Sequence, residues 1–533
     1  MMNMKNRIKY GWLSGLLTVI IGLTFFGCAD FLDRKPLQAT LQDSKQSVLE
    51  GQALGLYFIA YGSWSSYAGF NSLPWIDFNS IRGDDEIKGS SLIDGAEVNT
   101  EFDTFQYTKD DWATDTYWND HYYLANQASQ LISIAKGKNA TDEASKRNVG
   151  EAYFWRAYSY YELVKAYGEV PVFNYYYSTT AGGIKAKSTV DQVYAQIDSD
   201  LDSAKQLLPV TWKTATTDYP GRLTTYVASA LKAKTYLFRP TVKWDSVIAN
   251  CNKVKNAGVY SLLPKFYDVW KDGVGGEGKN SAESILEFQY YVGTGGTDNY
   301  GGPWGTMQNV RKGGANNDWN LGWGWNVPSQ KLVDDWNNLE PSDPRMACTI
   351  LYSGQSDGGP TTGGYGDVLP PYTPGGDPGT IQQPYWSKKV YSDKAMRQAT
   401  GQIGASGGAD WINHRVIRYA DILLMLAEAY NQTGNDGAAQ TMLNQVRARA
   451  RNTGNNPSVV PDVTATGAAL LKAIKNERRW EFAMEGHRFH DLVRWGDAES
   501  NLVGYSEPKH RYYPIPQPAI NQSGGKLIQN PNW

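Results

Sequence analysis

Gly150-Glu-Ala-Tyr-Phe-Trp-Arg-Ala-Tyr-Ser-Tyr-Tyr-Glu-Leu-Val-Lys-Ala-Tyr-Gly-Glu-Val-Pro171 is the stretch on which the fold turns. Ala152, Ala157, Tyr160, Tyr161, Val164 and Tyr167 recur at three- and four-residue spacing, the period of one helical face. Gly168 and Pro171 then stop it, because glycine accepts the left-handed turn after a helix and proline cannot continue one. The spacing predicts a helix over 142–167. The same period and punctuation recur on either side. They predict helices over 117–136, over 190–208 before Pro209, over 224–239 before Pro240 and over 244–256 before Gly258. Near the C-terminus, 417–432 and 437–450 form another pair, split at Gly434.

These pairs share a theme. A small residue lies under an aromatic in the first helix, and a short turn leads to the second. Gly150-Glu-Ala152 and Ala157 with Tyr161, Ala228 and Ala233 with Tyr236, and Ala427-Glu-Ala429-Tyr430 with Ala438-Ala439 all follow it. The pattern resembles tetratricopeptide helix pairs with irregular spacing and long insertions, and such pairs stack into a right-handed solenoid.

Two stretches break the pattern. Residues 60–116 are rich in Ser, Asp, Asn, Gly and aromatics, and their periodicity is weak. Residues 271–410 hold half of the 54 glycines, together with Trp304, Trp319, Trp323, Trp325, Trp336 and Trp386. Glycine at that density favours turns, with short strands such as Ser284–Tyr290 between them. Long irregular regions inside a compact chain are uncommon unless functional, so this one is expected to be loops carried on a helical scaffold.

At the N-terminus, Lys5, Arg7 and Lys9 precede an apolar run from Gly11 to Gly27 that stops at Cys28. This is the layout of a secretory signal whose cleavage leaves a lipid-carrying cysteine. Residues 1–27 are therefore expected to be a lipoprotein signal peptide and Cys28 the lipidation site. A formal net charge of −3 argues against nucleic acid, which needs a concentrated basic face. Cys251 and Cys348 are too few for a disulfide framework or a structural zinc site and read as buried small hydrophobes. Trp (19) and Tyr (35) outnumber Phe (15). Most of these rings belong to helix contacts, but an excess of amphipathic rings points to some that face a ligand.

Four segments, in order, resemble the SusD/RagB family of outer-membrane nutrient-binding lipoproteins. They are Cys28-Ala-Asp-Phe-Leu-Asp-Arg-Lys-Pro36, the 150–171 stretch, Val416-Ile-Arg-Tyr-Ala-Asp-Ile-Leu-Leu-Met-Leu-Ala-Glu-Ala429, and Asn476-Glu-Arg-Arg-Trp-Glu-Phe-Ala-Met-Glu-Gly-His-Arg-Phe-His-Asp-Leu-Val-Arg-Trp495. The resemblance implies a mainly α fold of about four tetratricopeptide-like pairs with a large, loop-rich, short-stranded ligand-binding insertion. It also implies a non-catalytic surface protein that passes oligosaccharides to a SusC-like TonB-dependent transporter. The expected organisation is 28–270 helical with a loop insertion at 60–116, 271–410 as the ligand-binding loops, and 411–533 as the C-terminal helical part, in one globular unit.

Glu477, Glu481, Glu485, His487, His490 and Asp491 interleave with Arg478, Arg479, Arg488 and Arg494, which reads as an ion-pair network and not a metal or acid–base centre. Gly354-Gln-Ser-Asp-Gly358 and Gly404-Ala-Ser-Gly-Gly408 lack the strand-to-helix context of a nucleophile elbow. Asp84-Asp85-Glu86 lacks calcium-loop spacing. No metal or cofactor is therefore expected. A pyranose offers an apolar C–H face and a polar rim, suited to Trp or Tyr stacking with Asp or Arg on the hydroxyls. The expected glycan-contacting residues are Trp75, Asp77 and Arg82 in one arm and Tyr300, Trp304, Trp319 and Trp323 in the other. Rival readings are a peptide-binding member of the same family, a tetratricopeptide scaffold that binds only proteins, and a glycoside hydrolase with two opposed carboxylates.

Overall fold

The computed structural model describes residues 47–62, 72–90, 100–213, 219–272, 278–293, 300–312, 319–359, 362–374, 380–391, 394–400 and 410–533. The signal segment 1–27, Cys28 and the 404–408 motif lie outside them. The chain is mainly α with a tetratricopeptide-like arrangement of helices. Helices α1 (Glu50–Tyr61) and α2 (Leu73–Asn79) precede the long antiparallel partners α3 (Trp112–Gly137) and α4 (Glu143–Tyr167). Then follow α5 (Val190–Leu207), α6 (Thr225–Leu237) and α7 (Trp244–Lys255).

Caps set the ends of these helices. Asp142 accepts from the Ser145 N–H at 2.9 Å, and Gly168, at φ +72°, ends α4 by donating to the Val164 carbonyl. Thr189 and Gln192 form a capping box on α5. Helix α4 is buried on nearly all sides, which makes it the central post of the stack. Its tyrosines bring apolar area into the core, and neighbouring hydroxyls find partners there. Tyr160 donates to the Phe173 carbonyl at 3.0 Å, and Tyr117 of α3 donates to Glu162 at 2.6 Å. Full burial of each such ring contributes roughly 1.5–3 kcal/mol.

The stack does not follow the chain throughout. Each helix from α3 to α7 packs on the next, but α7 then packs on α9 (Tyr419–Gln432), not on anything that follows it directly. Residues 256–418 are thus inserted between two neighbouring helices. After α9 come α10 (Asp436–Gly454), α11 (Gly467–Phe482) and α12 (Arg488–Trp495). The insertion enters and leaves through an antiparallel ribbon. Strand β2 (Ser284–Phe288) pairs with β6 (His414–Arg418), with Phe288 opposite His414. Sequence periodicity predicted helix from Ile417, but residues 414–418 are strand because they complete this neck. Two more ribbons stiffen the insertion: β1 (Glu86–Gly89) with β3 (Trp325–Pro328), and β4 (Ile350–Tyr352) with β5 (Tyr385–Ser387). Within the Gly354–Gly358 motif Ser356 makes an isolated bridge to Val368, and no helix follows.

The C-terminal signature forms a buried ion-pair lattice. Glu477 accepts from Arg345 at 2.5 Å and from Arg447 at 2.7 Å. Glu481 accepts from Arg345, Arg418 and Arg449, and Glu485 from Arg418 and Lys389. The acidic triplet belongs to the same system. Asp84 binds Arg488 at 2.6 Å, Asp85 binds Arg479 at 2.6 Å, and Glu86 accepts the Met484 N–H. Isolated buried charges would be strongly destabilising, and paired hydrogen-bonded ones are tolerated. Cys251 and Cys348 are buried free thiols. Among the described residues no helix is long and apolar enough to cross a membrane.

Candidate functional site

The neck carries His414 into the core. Trp304, which opens α8 (Trp304–Gln308), stacks on that imidazole with ring centroids 3.8 Å apart and planes 11° from parallel. Trp75 of α2 meets both edge-on, at 5.0 Å from Trp304 and 4.5 Å from His414. Gly486, at φ +69°, closes over Trp75, where a Cβ would lie 2.3 Å from Cη2. Trp75 and Trp304 are 7% and 5% exposed. The expectation that they face a glycan is corrected here, since both rings are core.

Asp77 and Arg82 are also corrected. Asp77 is wholly buried, its carboxylate has no hydrogen-bond partner among the described residues, and burial raises its pKa well above the usual range. Arg82 donates to the Tyr107 hydroxyl at 2.8 Å and to the His510 carbonyl, with its guanidinium 3.8 Å from the Phe489 ring centroid and 4.1 Å from that of Tyr513. It binds the C-terminal segment to α2 through cation–π contacts. The first arm of the expected site is therefore scaffold.

The second arm is partly open. Tyr300 is 60% exposed and Tyr291 57% exposed. The two exchange backbone hydrogen bonds at 2.8 and 3.2 Å, so they are directly opposed and their rings share one side of the bridge. Trp319 and Trp323 are half-buried. Their loop is knit to α8: Leu321 and Gly322 both donate to the Val310 carbonyl at 2.9 Å, and Trp323 donates to the Thr306 carbonyl at 2.8 Å. Trp323 meets Trp325 edge-on at 5.1 Å. Trp319 and Tyr365 pack on an apolar cluster containing Val310, Leu321, Leu369, Ile381 and Trp386.

The flanking glycines do not free these rings from local packing. A Cβ on Gly322 would lie 2.3 Å from the Thr306 carbonyl oxygen, and one on Gly324, at φ +73°, would lie 2.8 Å from Arg311 Cβ. Glycine is required at 322 because backbone meets backbone, and at 324 because the backbone is left-handed and side chains close over it. The result is a rigid loop with indole surface left partly open. Tyr291, Tyr365 and the partly exposed Tyr372 were missed from sequence. The available signal was an aromatic beside a glycine-containing run, as in Tyr291-Val-Gly293 and Gly364-Tyr-Gly366.

Below this layer the charges are neutralised or paired. Asp410 is pushed up to about 7 by burial, while its carboxylate accepts the Ile412 N–H at 2.7 Å. His414 is pushed down to about 3 by burial and then by the Arg415 charge, so it stacks on Trp304 as neutral imidazole. Arg415 is held by Asp272 and lies 3.6 Å from Glu287. Among the described residues no group of three or more His, Cys, Asp or Glu side chains is placed to hold a metal ion. The arrangement offers flat, partly open rings on a fixed frame, the chemistry of stacking.

Comparison with known proteins adds independent support. Residues 282–512 match the model described as SusD family, and residues 75–237 match one described as starch-binding associating with outer membrane. SusD-like protein P2 of Formosa agariphila is 24% identical over 543 residues, covering 97% of this chain and 98% of that protein. The structure of a laminarin-binding SusD-like protein superposes with a TM-score of 0.71 at 26% identity, over 92% of this chain and 100% of that one. Surface glycan-binding protein A from Bacteroides thetaiotaomicron, solved with laminarihexaose, shares the fold with a TM-score of 0.70 at 21% identity, over 91% and 99%. Two family matches covering separate parts of the chain, on a helical stack interrupted by one large insertion, establish that it belongs to the SusD/RagB family.

Proposed function

We propose that this protein is a lipid-anchored, outer-membrane glycan-binding protein that captures oligosaccharide at the cell surface and delivers it to a SusC-like TonB-dependent transporter. The observation that carries the reading is the set of open or half-open rings, Tyr291, Tyr300, Trp319 and Trp323, on loops tied to a rigid scaffold. Such rings stack on pyranose C–H faces, and pre-organised loops avoid the ordering cost of binding. The 271–410 region is thus the ligand-binding part, and ligand is bound without being cleaved. Similarity to proteins named for starch, laminarin and laminarihexaose supports a glucan as the first ligand to try. The deciding measurement is a glycan array and calorimetry on residues 28–533, with laminarihexaose and maltohexaose as first probes and peptides alongside. Binding to peptides and to no glycan would overturn the reading.

Trp319→Ala or Trp323→Ala should weaken oligosaccharide affinity by about 1–2 kcal/mol, from lost stacking and burial. Longer ligands should suffer more if the rings form an extended platform. A large loss of thermal stability with unchanged affinity would assign these rings to the core and leave Tyr291 and Tyr300 as the contacts.

The anchor has its own test. Cys28→Ser should leave the precursor uncut and absent from the outer surface, read by mass and by surface labelling. Unchanged processing and fractionation would remove lipid anchoring from the proposal.

A further inference from the structure

The helical scaffold holds a cavity of about 460 Å³ to which, among the described residues, the 271–410 region contributes no lining residue. It lies between α3, the 171–185 segment and the short helix Gln517–Gln522 near the C-terminus. Its size is within the ~300–1,000 Å³ of small-ligand sites.

Its wall is built and rigid. Asn126 clamps Tyr177 from both sides, donating to its carbonyl at 2.9 Å and accepting its N–H at 3.1 Å. Thr179 caps the following turn by accepting the Gly182 N–H, and the Lys185 ammonium donates to the Val172 carbonyl at 2.8 Å. The Tyr177 ring packs on Phe173 at 4.9 Å and covers Gly183, where a Cβ would lie 2.8 Å from the ring.

The lining chemistry selects a ligand class. Trp118, Tyr176 and Tyr177 supply rings, and Asn119 and Gln522 supply amides. Among the described residues no carboxylate lines the cavity, and the one cation that does, Lys185, is already engaged with a carbonyl. Trp118 is 5% exposed, and its indole N–H has no acceptor among the described residues. That donor is not sealed from water, so a ligand hydroxyl oxygen can take the place of the water it meets. A peptide would call for a strand edge or a charge pair, neither of which lines the cavity. A neutral, hydroxyl-rich molecule with a flat apolar face meets every group present.

We propose that this cavity is a second saccharide site, taking one or two neutral pyranose units independently of the loop rings. The choice of a saccharide over another neutral polyol rests on the glycan reading of the loops.

The test uses residues 28–533 and the indole N–H resonances in a ¹H–¹⁵N spectrum. Trp118, Trp319 and Trp323 are each assigned by a Trp→Phe substitution. The probes are maltose, cellobiose, laminaribiose and mannobiose, followed by laminarihexaose and maltohexaose. At least one disaccharide should shift the Trp118 resonance saturably. Tyr176→Ala or Gln522→Ala should weaken that response about fivefold or more, and Trp319→Ala should leave it unchanged. The site is overturned if Trp118 does not move with any probe at about 20 mM, where a millimolar site would be nearly filled. It is equally overturned if the rim substitutions leave the response unchanged. Movement of Trp319 and Trp323 alone rejects the second site and keeps the loop reading. Movement of Trp118 alone keeps the second site and rejects the loop reading, and no movement of any of the three rejects both.

Discussion

Glu481→Gln is expected to lower the stability of the folded chain by about 3–5 kcal/mol, the cost of breaking a buried ion pair from one side. Glu481 is fully buried and accepts from three guanidiniums, those of Arg345, Arg418 and Arg449. The neutral amide keeps the shape but leaves those cations, among the described residues, sharing only Asp343 and Glu477 at Arg345, Glu283 and Glu485 at Arg418, and Glu283 at Arg449. The denaturation midpoint should fall, whereas Glu143→Gln, in an exposed i,i+3 pair with Lys146, should leave it in place. Equal midpoints for the two variants would show that the lattice is not the stabilising element described here. The same lattice sets an acid limit. Burial alone would raise the Glu481 pKa, but Arg449, Arg418 and Arg345 hold it at about 2. Asp491 is likewise held at about 2 against its burial, by Arg478 and Arg494. Both folded values lie below the unfolded carboxylate range of about 4. Their stabilisation is therefore complete above about pH 5 and is lost as pH falls from about 4.5 to about 2. Glu481→Gln should flatten the stability–pH curve in that window.

Trp304→Ala should cost about 3–5 kcal/mol of stability, the range for emptying a buried indole position. The ring fills the space between Trp75 and His414 and is nearly inaccessible. A second readout separates this role from ligand contact. His414 is held at about 3 because burial keeps its imidazole dry. Without Trp304, water reaches that ring, and its pKa should rise toward the ordinary histidine value near 6.5. A histidine ring titration by NMR follows it directly. Unchanged stability together with lost glycan affinity would return Trp304 to the ligand face. The expected order is the reverse of that for Trp319 and Trp323, where affinity falls more than stability.

The contrast between these two pairs of tryptophans shows where sequence reading stops. All four rings sit beside glycine, proline or polar loop residues, so their local surroundings look alike. Trp75 is buried because Gly486, some 400 residues later in the chain, closes over it. Trp304 is buried because β6 brings His414 beneath it. Trp319 and Trp323 stay half-buried where their loop folds back on α8, Trp319 against the small apolar cluster and Trp323 against the edge of the main core. Asp77 and Arg82 repeat the lesson, since polarity suggested hydroxyl binding while the C-terminal segment and its rings took both out of solvent.

What the sequence determined by itself is whatever depends on near neighbours. The 3.6-residue period marked α4 and Gly168 with Pro171 marked its end, because helix formation and termination are settled within a few residues. The interleaved Glu and Arg of 476–495 announced ion pairing for the same reason, although not the partners Arg345, Arg418 and Arg449 that complete it. The tertiary structure alone decided that α7 packs on α9 across residues 256–418, that 414–418 is a strand of the neck, and which rings remain open. Each of those outcomes is a burial decision made by contacts between distant segments, and no local period or composition carries that information.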